Sequence, residues 1–135
     1  MIHLDTNGVI ALLTGRVPKV LEQFEQAKTR SDDMAISCLV FHELRYGSAN
    51  SARPHQNNAR LDVLLLQGIA IIPFDADDAK EAADIRAHLK RLGTPIGPYD
   101  ILIAAQARRR GATLVTANTQ EFQRVPGLQV VDWAV

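Results

Sequence analysis

The chain has 135 residues, 47% hydrophobic and 22% charged, a length and balance that suit one compact domain and exclude disorder. Lysine plus arginine and aspartate plus glutamate both number 15, so the formal charge is zero and gives no global attraction to nucleic acid, although local fields can still act. No apolar run nears the ~18 residues of a membrane-spanning helix, the start lacks a leader-like pattern, and a single cysteine, Cys38, excludes an internal disulfide; the expectation is a cytoplasmic protein with residues 1–135 as one domain.

Short apolar runs alternate with longer helical ones. Met1 to Leu4 reads as a first strand, and Asp5-Thr6-Asn7 supplies helix-starting residues before Val9-Ile10-Ala11-Leu12-Leu13. Pro18 suits the first position of a second helix, with Val20, Leu21, Phe24 and Ala27 at helical spacing. Met34 to Ile36 is a short strand, and Ser37 is placed to cap a helix running to Gly47. The polar stretch Ser48 to Asn58 reads as the most mobile loop, with helical pattern resuming from Ala59 to Leu66. Ile69 to Pro73 is a third strand, a long helix spans about Ala76 to Leu92, and Pro98 opens another that reaches Arg110. Thr113 to Thr116 forms a fourth strand and Leu128 to Val131 a fifth. Such alternation predicts an α/β fold, a parallel sheet of four to five strands with helices on both faces. Ligand sites in such sheets lie beyond the carboxyl ends of the strands.

Four acids draw attention under that rule. Asp5 follows the first strand, where a helix cap is the competing role. Glu43 stands in Leu39-Val-Phe-His-Glu-Leu, whose apolar neighbours predict burial; a buried carboxylate needs a cation or donor, and His42 or Arg45 is within reach in sequence. Asp100 falls in the first turn of its helix, where the macrodipole already favours negative charge. Glu121 follows the fourth strand, three residues after Asn118, the spacing of a capping pair. Each has a structural explanation alone. Together they would repel strongly unless a hard divalent ion, Mg²⁺ or Mn²⁺, sat among them, and such an ion suits phosphodiester hydrolysis.

At these residues the sequence resembles the PIN-domain nucleases, in particular the VapC toxins of toxin–antitoxin pairs. The resemblance rests on Leu4-Asp5-Thr6-Asn7, His42-Glu43-Leu44 with Tyr46-Gly47, Gly97-Pro-Tyr-Asp100 followed by Ile103-Ala-Ala, and Val115-Thr-Ala-Asn118-Thr-Gln-Glu121-Phe122, in matching order and spacing. It implies a three-layer α/β/α fold, an Mg²⁺- or Mn²⁺-dependent endoribonuclease acting on single-stranded or looped RNA such as tRNA or rRNA, inhibition by a VapB-type antitoxin, and a homodimer. Carried over by position, Asp5, Glu43 and Asp100 match metal ligands, Glu121 the fourth acid, and Asn118 a position that would reach the metal through water. Thr6, Asn7 and Thr116 match small polar positions that would hydrogen-bond the carboxylates. No histidine is placed by these motifs as a general base. Tyr99, Arg45 and the run Arg108-Arg109-Arg110 are candidate RNA contacts, a solvated helix face being the other reading of the run. Two rivals differ in class: a non-catalytic module that keeps the fold, and a haloacid dehalogenase-like phosphatase, which wants an aspartate where Asn7 stands.

Overall fold

A computed structural model describes all residues, 1–135. Five strands, β1 (Ile2–Leu4), β2 (Met34–Ser37), β3 (Ile69–Ile72), β4 (Thr113–Val115) and β5 (Gln129–Val131), form one sheet in the order β3-β2-β1-β4-β5, every pair parallel. Seven helices flank it as a three-layer α/β/α sandwich: α1 (Thr6–Thr14), α2 (Pro18–Thr29), α3 (Cys38–Ala49), α4 (Pro54–Leu65), α5 (Ala76–Arg91), α6 (Pro98–Arg109) and the single turn α7 (Thr119–Phe122). The first four pack on one another, whereas α5 packs along α6. A core of 28 buried hydrophobic residues runs through the sandwich, with Leu4, Ile36 and Leu114 on neighbouring strands.

The local chemistry explains the element starts. Asp5 caps α1 by accepting from the Gly8 amide at 2.8 Å, and Ser37 caps α3 by accepting from Leu39 at 3.0 Å. Pro18 and Pro98 occupy first-turn positions where a missing N–H costs nothing. The same rule corrects one expectation. Pro54 opens α4 inside the stretch expected to be loop, which is therefore confined to the few residues after α3. The polar residues His55 and Gln56 are simply that helix's exposed side.

Strand order fixes where the chain can build a site. From β1 it proceeds to β2 and β3 on one side, then returns to place β4 and β5 on the other. The direction reverses between β1 and β4, and there the loops diverge to leave a crevice at the strands' carboxyl ends.

Candidate active site

Asp5 and Thr116 are the residues that follow β1 and β4 at this crevice, and they are joined directly: the Thr116 hydroxyl donates to Asp5 Oδ2. The other carboxylate oxygen, Oδ1, takes the Gly8 amide. Asp5 is thus both the cap expected of it and a member of the site, only 6% exposed. From α3, Glu43 reaches the same mouth, and the Thr6 hydroxyl donates to its Oε2 at 3.2 Å. From α7, Glu121 accepts at Oε2 from the Asn118 side-chain amide at 2.9 Å. Asn118 precedes the helix but makes no side-chain cap to its backbone, so the anticipated capping pair is replaced by an amide that orients a carboxylate. Its own backbone N–H donates to Thr116 Oγ1 at 3.0 Å, which links the Glu121 arm to the Asp5 arm.

Asp100 stands in the first turn of α6 and receives no hydrogen bond from the protein. The chain makes close room for it, since a Cβ placed on Gly97 would lie 3.3 Å from Asp100 Oδ2. Gly8 stands equally close to Asp5 Oδ1, again 3.3 Å from an added Cβ. Each carboxylate is therefore crowded by a backbone that carries no side chain.

The charges of the group are felt mutually. Burial pushes the Asp100 carboxyl above its ordinary pKa, and the charges of Glu121, Asp5 and Glu43 push in the same direction. Burial likewise raises Asp5; the hydrogen bonds from Thr116 and Gly8 hold it down, while Glu43 and Asp132 add upward pressure. Asp132 was not signalled by the sequence. It follows β5 directly, and the Val131 carbonyl before it accepts from the Thr116 amide at 3.0 Å, which sets it beside the Asp5 arm. Its place at a strand's carboxyl end was the available clue.

None of the eight ion pairs in the molecule involves Asp5, Glu43, Asp100 or Glu121. Glu43 is half-buried rather than buried, and neither expected partner serves it: Arg45 points to Asp62 at 3.5 Å, and His42 is exposed. Asn7 is exposed and donates to none of the acids, unlike Thr6 and Thr116. The arginine run is a partly exposed helix end whose charges are already matched by acids. Arg108 pairs with Glu81 at 2.6 Å, Arg109 with Asp75 at 2.8 Å and Asp78 at 2.7 Å, and Arg110 with Asp78 at 2.8 Å.

The donor set suits a hard divalent ion in kind: carboxylate oxygens, backed by hydroxyl and amide donors, with no side-chain cation among them. No three of the molecule's acidic, histidine or cysteine side chains converge tightly enough to enclose an ion directly. Water molecules in the remaining coordination positions, or rotation of the two longer acids Glu43 and Glu121, would complete a shell, and Mg²⁺ in particular keeps several waters.

The model of the PIN domain family matches residues 2–128. Two relatives described as tRNA(fMet)-specific endonuclease VapC, from Shigella flexneri and Salmonella typhimurium, are 39% and 37% identical over 97% and 96% of this chain and 96% of each relative. The solved structure of VapBC2 from Rickettsia felis, bound to a DNA fragment from its promoter, superposes with a TM-score of 0.90 at 34% identity, covering 98% of this chain and 99% of that one.

Proposed function

The chain belongs to the PIN domain family, and from that premise we propose that it is a metal-dependent endoribonuclease toxin, a hydrolase of phosphodiester bonds in single-stranded or looped RNA, held in check by a VapB-type antitoxin. The observation that carries this reading is the set of four acids around the crevice left without an ion-pair partner, in a molecule that supplies arginines to a buried carboxylate elsewhere. Names of full-length relatives support it, and tRNA(fMet) is accordingly the first RNA to test.

Asp5, Glu43, Asp100 and Glu121 would hold Mg²⁺ or Mn²⁺. Such an ion supplies Lewis acidity: it makes a water a better nucleophile and offsets negative charge growing on the phosphate. The chain's own part is positioning. Thr116 and Gly8 fix both oxygens of Asp5, Thr6 steers Glu43, and Asn118 steers Glu121. Asp100, lacking any protein donor, has its lone pairs free for the ion or its waters. In the hydrolysis, water adds to phosphorus, the bond to the 3′-oxygen breaks, and that oxygen leaves with a proton. None of the four histidines hydrogen-bonds an acid of the mouth: His3 is buried against Met1, with its ring nitrogen 3.2 Å from the sulfur, His42 and His55 are exposed on α3 and α4, and His88 lies in the last turn of α5.

The test is cleavage of tRNA(fMet) and of an unstructured RNA by the purified, antitoxin-free protein, with Mg²⁺, with Mn²⁺ and with chelator. Cleavage is expected only with the metals, reduced in Asp5→Asn and Asp100→Asn by more than the ~10–100-fold that loss of an outer-shell partner costs. Metal-independent cleavage, or wild-type rates in both variants, would refute the assignment. Hydrolysis of small phosphate esters without RNA cleavage would point to the phosphatase class.

A further inference from the structure

The acidic mouth poses a problem of affinity. Binding of nucleic acid normally draws on lysines and arginines that displace counterions from the phosphates. Here the formal charge is zero, and the richest arginine cluster is engaged by Glu81, Asp75 and Asp78 at the end of α6 opposite Asp100, about 15 Å away along a helix rising ~1.5 Å per residue. Near the mouth, Arg45 is paired with Asp62, while Arg60 and Arg124 keep their charge but are each tethered to a carbonyl, of Leu13 and Pro95. Few cations there are free to follow a phosphate backbone, and a neutral source of binding energy would add to them.

The aromatic residues divide sharply. Phe24, Phe122 and Trp133 are buried, and Phe41 and Phe74 pack against the core. Only the two tyrosines are exposed, Tyr46 by 64% and Tyr99 by 48%. Their positions are not scattered. Tyr46 lies three residues after Glu43 on α3, on the same side of the helix, and Tyr99 immediately precedes Asp100 in the first turn of α6. One exposed ring therefore shares a helix face with an acid of the mouth, and the other lies one residue from a second acid on another helix, about a quarter turn round α6.

We infer that Tyr46 and Tyr99 are stacking platforms that hold two unpaired nucleobases flanking the scissile phosphate, and so select unpaired RNA over duplex. The inference rests on the ribonuclease reading. Stacking on an aromatic ring is indifferent to charge and available to every base once it is out of a helix. A duplex, whose bases are already stacked, offers nothing to either ring.

The experiment measures kcat and KM with Mn²⁺ on an unstructured RNA oligonucleotide, and binding of the same oligonucleotide in EDTA by fluorescence anisotropy. Tyr46→Ala and Tyr99→Ala are each expected to raise KM and Kd by roughly tenfold with a smaller change in kcat, the usual size of one lost base stack. Tyr46→Phe and Tyr99→Phe should stay within about twofold of wild type, because the ring is kept. In Tyr99→Trp, indole fluorescence should be quenched on adding the single strand and not on adding an RNA duplex. Wild-type KM in both alanine variants overturns the inference, as do phenylalanine variants as weak as the alanines, or equal losses on duplex. Alanine variants that lose only antitoxin binding overturn it too, since the rings would then belong to a protein interface. Failure of the wild type to cut any RNA would instead strike the parent reading, so the two failures are separable.

Discussion

Asp5 and Asp78 are both buried aspartates, 6% and 0% exposed, yet the molecule treats them oppositely. Asp78 lies in the first turn of α5 with Arg109 and Arg110 on its carboxylate and the Asp75 amide donating to it at 3.0 Å. Burial alone would push its pKa up, but the hydrogen bonds from Arg110, the Asp75 backbone and Arg109 outweigh it, and the carboxyl sits well below the usual range. Burial pushes the Asp5 pKa up, the neutral donors Thr116 and Gly8 offset only part of that, and the neighbouring acids Glu43 and Asp132 add to the rise. One is a finished ion-pair network. The other has no cation from the chain, which suits the divalent ion proposed for it.

That contrast can be broken at either end. The largest effect is expected at the finished site: Asp78→Ala strips Arg110 of its carboxylate while Arg109 keeps Asp75, and should cost about 3 kcal/mol in urea or thermal unfolding, the low end for breaking a buried pair. A loss below about 1 kcal/mol would mean that the network is ornamental. At the Asp5 site, Mn²⁺ at a hundred times its dissociation constant should stabilise the protein by about 2.7 kcal/mol, read as a rise in Tm, and Asp5→Asn with Asp100→Asn should abolish the rise. An equal rise in the double variant would place the ion elsewhere. Thr116→Val removes the hydroxyl that fixes Asp5 and should slow cleavage by ~10–100-fold while the folded fraction is retained; unchanged cleavage would show that Asp5 needs no such support.

The subtlest contrast is in pH. Asp5 and Asp100 have folded pKa values above their unfolded ones, so the native state holds their protons more tightly. Metal-free stability from these groups therefore falls as pH rises from the ordinary aspartate range through the raised values. Asp78 acts in the opposite sense, its contribution full above the ordinary aspartate pKa and lost in stronger acid. His3 is lowered from 6.5 to about 4 by burial, then by Arg110 and the terminal amine, with Asp78 opposing. Its contribution is full above pH 6.5 and lost as pH falls toward 4. Thermal unfolding against pH should show a shallower acid limb in His3→Asn, and a weaker decline toward neutral pH in the Asp5→Asn, Asp100→Asn double variant. Superimposable curves would deny that these groups are perturbed.

Much of this was legible beforehand, for local reasons. Pro18, Pro98 and Ser37 mark helix starts by chemistry that needs no tertiary context, and the five strands fall within a residue or two of their apolar runs. The rule about strand ends pointed to the crevice around which Asp5, Glu43, Asp100 and Glu121 lie close enough to feel one another's charge. What could not be read was which partner each charged group would choose. Arg45 adjoins the Glu43 side of α3 in sequence but faces Asp62 on α4, and Arg109 and Arg110 find acids more than thirty residues away. Such choices depend on helix packing, which periodicity does not specify. Pro54 is the exception, a helix start whose signal was present and was masked by the polar residues around it.

β1 is only three residues long, yet it is hydrogen-bonded on both sides, and the Asp5 amide extends the ladder by donating to the Val115 carbonyl at 3.2 Å. Central strands of this kind open last. The Asp5 N–H should consequently be among the slowest to exchange with deuterium, and its exchange should require opening of the whole domain. Heat should not disarm the protein by loosening that carboxylate first, and the attachment of Asp5 should endure for as long as the fold does.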